Sequence, residues 1–266
     1  MSTANSRRDF LKAAAVGSAA LAGGARSSAM QTNAIPRWRG FNLPGRTSEI
    51  PEDDFRMISD LGFDWVRIPM NYWWWVDSDA EKVGRMDARN VLKIKESGLA
   101  QVDRVIDLGR KYSIHVNLNF HRAPGYNVND SDPDPDHKEP FNLWHDPEAQ
   151  DAFVYHLSYF AKRYKGVSPK HLSYNPINEP PWPVPAAGNR PQLVRDGVGV
   201  VSRFGQRSSN PMSSETHRRI MTRAIEAIRE PNPDRIVIVD GLSIAQEVAY
   251  DLIPTGAAQS IHTYLP

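Results

Sequence analysis

Residues 173–181 read SYNPINEPP. A stretch that begins as a strand candidate, HLSYNPIN (171–178), ends in an amide and a carboxylate, Asn178 and Glu179, and Pro180 and Pro181 then stiffen the exit. Pro176 forfeits a ladder hydrogen bond, so an unusual local register is expected there. Asn178 and Glu179 would point to opposite faces of a regular strand, and both reach one cleft only if the chain bends or bulges. Spacing alone leaves open a surface loop in which both side chains face water.

Outward from this stretch, strand and helix patterns alternate. RWRGFNL (37–43) is a short strand candidate, and PEDDFRMISDLG (51–62) is a helix with Phe55, Ile58 and Leu61 on one face and Gly62 as its stop. FDWVRIP (63–69) is the next strand. In ESGLAQVDRVIDLGRKY (96–112) Leu99, Val102, Val105, Ile106 and Leu108 recur at helical spacing, before a strand at SIHVNLNFH (113–121). The alternation continues through a helix at 151–164, the strand at 171–178, a helix at 215–230, RIVIVDG (235–241) as a strand and SIHTYLP (260–266) as a strand. Strands separated by crossovers predict a parallel α/β sheet.

A doubly wound nucleotide fold is disfavoured, because GFNLPGRTS after the first strand lacks the G-x-G-x-x-G spacing. Residues with chemistry instead sit at the ends of several strands: Arg67, His121, Asn178 with Glu179, and His262 with Tyr264. That distribution predicts a TIM-type (β/α)8 barrel, whose site is built at the carboxyl ends of its strands. About six β/α units are counted in this sequence.

Composition narrows the partners. The chain has 266 residues, 40% of them hydrophobic, and 21 prolines, which suits one large domain with ordered loops. Lys and Arg total 32 against 31 Asp and Glu, with no long run of one sign, so nothing points to nucleic acid. There is no cysteine, hence no disulfide, thiolate metal site or cysteine nucleophile. The segment SRRDFLKAAAVGSAALAGGARSSA (6–29) pairs Arg7 and Arg8 with a modest apolar run and small residues, the layout of a twin-arginine export signal over residues 1–29. Its apolar run is shorter than the about 20 residues a membrane span needs, so no stable anchor is expected. The expected location is periplasmic or extracellular, with the working domain at 30–266.

A carboxylic acid at a strand end, in a partly apolar cleft, has its ionised form disfavoured, which suits it to donate a proton. A neighbouring amide offers a donor and an acceptor to a sugar hydroxyl. PINEPP, taken with RGFNL, VRIP, NFHRAPG and IHTY in this order, resembles the family 5 glycoside hydrolases, the cellulase-like retaining (β/α)8 glycosidases. The resemblance runs from about Arg37 to Pro266. It implies that Glu179 is the acid/base, that Asn178 contacts the sugar at the scissile bond, that Arg67 and His121 shape the site and that His262 and Tyr264 flank it. It also implies a nucleophile at the end of a seventh strand and a sugar-stacking tryptophan on an eighth. Neither segment is found in this sequence, so the domain is expected to be C-terminally incomplete and no nucleophile is nominated. Glu215, Glu226 and Glu230 fall on a predicted outer helix, and Asp240 ends the fifth strand without a matching motif. Asn175 and Pro176 stand where relatives usually carry a glutamate and an apolar residue, and Asn119 where many carry an aspartate.

Aromatic faces stack on pyranose rings. Trp74, Trp182, Tyr126 and Trp144, all in predicted loops on the strand-end side, are therefore candidates for substrate subsites, against the alternative that they pack loops onto the barrel. His115 and His121 share strand parity, but without a clustered carboxylate they read as core or supporting histidines rather than metal ligands. DSDPDPDHKEP (130–140) lacks the glycine and glutamate of a calcium loop. No cofactor or metal is expected. The expected substrate is a β-linked polysaccharide, a β-glucan or β-mannan, cleaved by a monomer when full length. A non-catalytic carbohydrate-binding protein is the alternative, and a metal-dependent hydrolase ranks last.

Overall fold

The computed structural model describes residues 35–43, 50–76, 91–128, 141–181, 183 and 212–263. The proposed export signal, the stretch 130–140, Trp182 and Tyr264 lie outside them.

Six parallel strands form an open barrel wall in the order β1 (Gly40–Asn42), β2 (Trp65–Asn71), β3 (His115–Ala123), β5 (Leu172–Asn175), β6 (Ile236–Asp240) and β7 (Ala258–Ser260), with a two-residue return, β4 (Tyr126–Asn127), antiparallel to β3. Helices α1 (Glu52–Asp60), α2 (Glu96–Lys111), α3 (Pro147–Arg163) and α4 (Ser214–Arg229) make the crossovers. This is the predicted α/β class in the form of a partial TIM-type barrel.

Helix boundaries follow local chemistry. Pro147 sits in the first turn of α3, where a missing N–H costs nothing, and Ser213 caps α4 by accepting from the Thr216 N–H at 3.0 Å. The five apolar residues picked out on α2 are all buried. On α1 Phe55 and Ile58 are buried, but Leu61 is 66% exposed. It is a correction to the sequence reading: the helix stops at Asp60, and Leu61 belongs to the turn that leads to Gly62 at φ +79°.

Register separates two faces. Ile68, Leu118 and Tyr174 form one cross-strand row, and with Val66, Val116, Phe120 and Leu172 they pack against the helices. On that side Trp75, Phe120 and Phe160 meet edge to face or tilted, with centroids 4.7–5.4 Å apart. The Trp75 indole N–H donates to His156 Nδ1 at 2.7 Å, and His156 Nε2 donates to the Val91 carbonyl at 2.6 Å. Burial pushes this histidine down to about 4, so it stays neutral.

The opposite face, toward the barrel axis, is polar. Asn117 Nδ2 donates to Ser173 Oγ at 2.8 Å, and His115 Nε2 lies 2.8 Å from the same hydroxyl while Nδ1 reaches the Lys170 carbonyl at 2.9 Å. His115, stacked on Trp38 at 3.8 Å, is pushed down to about 4 by burial, as expected of a core histidine. At the amino end of the sheet Arg235, 2% exposed, donates to the carbonyls of Leu172, Tyr164 and Val167 at 2.9, 3.1 and 2.7 Å.

Two strand ends differ from expectation. β5 stops at Asn175, because Pro176 cannot continue the ladder. β7 spans Ala258–Ser260 rather than 260–266, which puts His262 beyond the strand. Its N–H is instead taken by the Ala245 carbonyl at 2.8 Å.

Candidate active site

Between the carboxyl ends of β5 and β6 and Arg67, which lies within β2 and not at its end as the sequence suggests, the polar face closes into one network. Arg67, inward on β2, donates from Nε and Nη2 to Asn175 Oδ1 at 3.0 and 2.7 Å, and from Nη2 to Asn178 Oδ1 at 2.9 Å. Its charge meets Asp240 Oδ2 at 3.3 Å. Asn175 Nδ2 donates to Asp240 Oδ1 at 3.0 Å and to the Ile238 carbonyl at 2.8 Å, while Asn119 Nδ2 donates to Asn175 Oδ1 at 2.7 Å. These groups are nearly closed to water, which is why each needs its partners.

The bend expected after Pro176 is present. The Asn178 N–H donates to the Phe120 carbonyl at 3.1 Å, and Glu179 adopts φ +47°, in the left-handed region. Both backbone polar groups of Glu179 are claimed: its N–H by Asp240 Oδ2 at 3.0 Å, its carbonyl by the Tyr126 hydroxyl at 2.5 Å. Asn178 and Glu179 thus reach one site although their strand parity would separate them. The Asn178 Nδ2 donor is buried without a partner among the described residues and remains available to a bound hydroxyl.

His262 bridges two carboxylates. Its Nδ1 lies 2.7 Å from Glu179 Oε1 and its Nε2 3.4 Å from Asp240 Oδ2. Burial works against its charge, but the hydrogen bonds to Asp240 and Glu179 overcome this, and the imidazole is raised to about 9. Asp240 is likewise disfavoured as an anion by burial, yet the bond from His262 and the charge of Arg67 hold its carboxyl below the usual range. Near neutrality the cluster therefore contains an imidazolium, a guanidinium and a buried carboxylate around Glu179. Just beyond β6, Ser243, Ile244 and Ala245 all have left-handed φ (57°, 61° and 58°), and the Ile244 N–H donates to the Pro180 carbonyl at 2.8 Å. Backbone strain of this kind gathers at functional sites.

Comparison with known proteins identifies the family. The description "Cellulase (glycosyl hydrolase family 5)" matches residues 27–266. The chain belongs to glycosyl hydrolase family 5. Endoglucanase C of Acetivibrio thermocellus is 32% identical over 145 residues, covering 54% of this chain and 37% of that protein. Cellodextrinase A of Ruminococcus flavefaciens is 24% identical over 152 residues, 53% of this chain and 40% of that protein. A crystal structure of a glycoside hydrolase superposes with a TM-score of 0.66 at 30% identity, over 86% of this chain and 60% of the other. The matches thus span about two fifths of these two curated relatives and three fifths of the solved chain.

Of the residues that the family 5 resemblance assigns, Arg67, Asn178, Glu179 and His262 are joined in the network. His121 lies on β3 two residues beyond Asn119, half-buried, and Tyr264 lies outside the described residues. Two subsite expectations are corrected. Tyr126 and Trp144 are each 2% exposed, with rings packed together at 5.2 Å and Trp144 backed by His217, so neither presents a face to a sugar; Tyr126 works through its hydroxyl instead. Trp74 is half-buried in a 3-10 turn (Tyr72–Trp74), while its neighbour Trp75 is core. Two members of this family 5 site, Asp240 and Asn175, went unassigned in the sequence. Only inward parity on β5 and β6 marks them, and that needs the register.

Proposed function

We propose that the protein is an exported family 5 glycosidase that hydrolyses the O-glycosyl bonds of a β-glucan with retention of configuration. The observation that carries this is Glu179 in the bend after β5, its side chain bonded to His262 and its backbone to Asp240, beside the donor of Asn178 that has no partner among the described residues. Protonated Glu179 gives its proton to the glycosidic oxygen as the bond to the anomeric carbon breaks. A second carboxylate, about 5–5.5 Å away, attacks that carbon from the opposite face and forms a glycosyl-enzyme. Glu179, now ionised, then takes a proton from water, whose oxygen displaces the enzyme carboxylate and releases the sugar. Asp240 does not fill the attacking role, because its side chain has no exposed surface. Asn178 Nδ2 is suited to a sugar hydroxyl beside the scissile bond, and Trp74 to a flanking subsite. Export rests on Arg7 and Arg8, and cell fractionation tests it.

Reducing-sugar release from a soluble β-glucan or β-mannan tests the assignment. Glu179→Gln should lower turnover by roughly 10²–10⁴-fold. Undiminished turnover in that variant overturns the role of Glu179, and retention on insoluble glucan without any product points to a carbohydrate-binding protein.

A further inference from the structure

Asp240 cannot touch a substrate, since its side chain is wholly buried, yet it faces four donors from separate parts of the chain. Arg67 comes from β2, Asn175 from β5, the Glu179 N–H from the bend after β5, and His262 Nε2 from beyond β7. We propose that Asp240 is a positioning residue for Glu179, holding the acid's backbone directly and its side chain through His262. The inference rests on the glycosidase reading of the site and adds to it the group that aims the acid.

The case begins with the backbone. A non-glycine residue at φ +47° does not hold that conformation by its own preference, so the surroundings must supply the restraint. The Asp240 carboxylate takes the Glu179 N–H, and charge-assisted bonds of this type are among the stronger ones. The segment after Asp240 repeats the grip on both neighbours: the Ile244 N–H holds the Pro180 carbonyl, and the Ala245 carbonyl holds the His262 N–H. One short stretch, 240–245, therefore fixes the acid's own backbone, the residue after it and the histidine bonded to its side chain.

The side chain follows. His262 carries a proton on each nitrogen when charged; one is directed at Asp240 and the other at Glu179 Oε1. Glu179 Oε2 has no hydrogen bond among the described residues, which leaves that oxygen to carry the proton passed to the leaving group. Without the Asp240 anion the imidazolium loses its second partner, and both the ring's charge and its orientation are released.

The experiment compares Asp240→Asn with the wild-type protein on two substrates: a β-glucan, whose leaving group needs a proton, and a 2,4-dinitrophenyl β-cellobioside, whose leaving group departs without one. A misaimed acid lowers kcat/KM on the glucan by about 100-fold and on the activated glycoside by less than about 5-fold. Equal losses on both substrates, as a general structural defect gives, overturn the proposal, and so does no loss on either. NMR titration of His262 supplies a readout that needs no turnover. The imidazole should titrate more than about one pH unit lower in Asp240→Asn. A titration that the substitution leaves unmoved overturns the positioning role, whether or not the wild-type protein turns over either substrate. Should the amide variant not fold, Asn175→Ala, which removes one donor to the same carboxylate, is expected to show the same split between substrates at smaller size.

Discussion

The backbone N–H of Glu179 donates to Oδ2 of Asp240 at 3.0 Å, across 61 residues of sequence. The same oxygen faces Arg67 Nη2 at 3.3 Å and His262 Nε2 at 3.4 Å, so one atom ties the acid's backbone to the two cations of the site.

Arg67 is the cation that offsets this buried anion. Arg67→Met should cost about 3–5 kcal/mol of stability, because it leaves Asp240 desolvated and short of a partner. Urea unfolding measures it, and the double variant Arg67→Met with Asp240→Asn should recover part of the loss. Additive losses would show that the two side chains are not coupled.

Stability should fall on the alkaline side through His262. Its folded value of about 9 lies above the roughly 6.5 of an unfolded histidine, so its contribution is complete below pH 6.5 and is lost as pH rises through about 9. Asp240 acts in the other direction: its lowered carboxyl stabilises above the usual carboxylate range, and that share is lost as pH falls through its folded value. Denaturation midpoints from pH 6 to 10 should decline for the wild type and stay flatter for His262→Gln.

Ser243→Gly should stabilise the protein by about 1 kcal/mol. Ser243 is buried with φ +57°, and its hydroxyl has no partner among the described residues. Glycine accepts that conformation without a steric cost and removes the unsatisfied group. A lowered melting temperature would mean that the hydroxyl fills space the fold needs.

Gly241→Ala should do the reverse. A Cβ there would lie 2.0 Å from the Glu247 carbonyl oxygen, and backbone must move to admit it. Loss of about 1–3 kcal/mol is expected, together with lowered turnover, since the neighbour displaced is Asp240. Thermal melts and glucan hydrolysis measured on one preparation test both parts.

Much of this arrangement is legible in the sequence, for reasons that differ by element. The buried face of α2 follows from spacing alone, and β3 from its apolar alternation, because each pattern is local. The end of β5 follows from Pro176, a residue whose chemistry breaks a ladder wherever it sits. Asp240 could not be assigned a role in the same way: in IVIVD it is an ordinary acid at a strand end, and its importance arises from partners 61 and 173 residues distant. Asn175 is similar. Tyr126 and Trp144 read as sugar platforms because loops near strand ends favour that reading, while in the fold Trp144 packs against both Tyr126 and His217 of α4, a contact no local pattern shows. IHTY alternates like a strand, yet β7 ends at Ser260 and the backbone beyond it turns to Ala245.

Arg235 offers a different kind of consequence. One guanidinium fastens the close of the α3 crossover to the start of β5 and β6 through three backbone carbonyls, and lies over the Tyr174 ring, at the end of the sheet remote from Glu179. That latch grips backbone and not the side chains that line the cleft. The loops that follow the strands can therefore differ in length and sequence without loosening it. What anchors the sheet and what shapes the cleft are kept at opposite ends of the same strands.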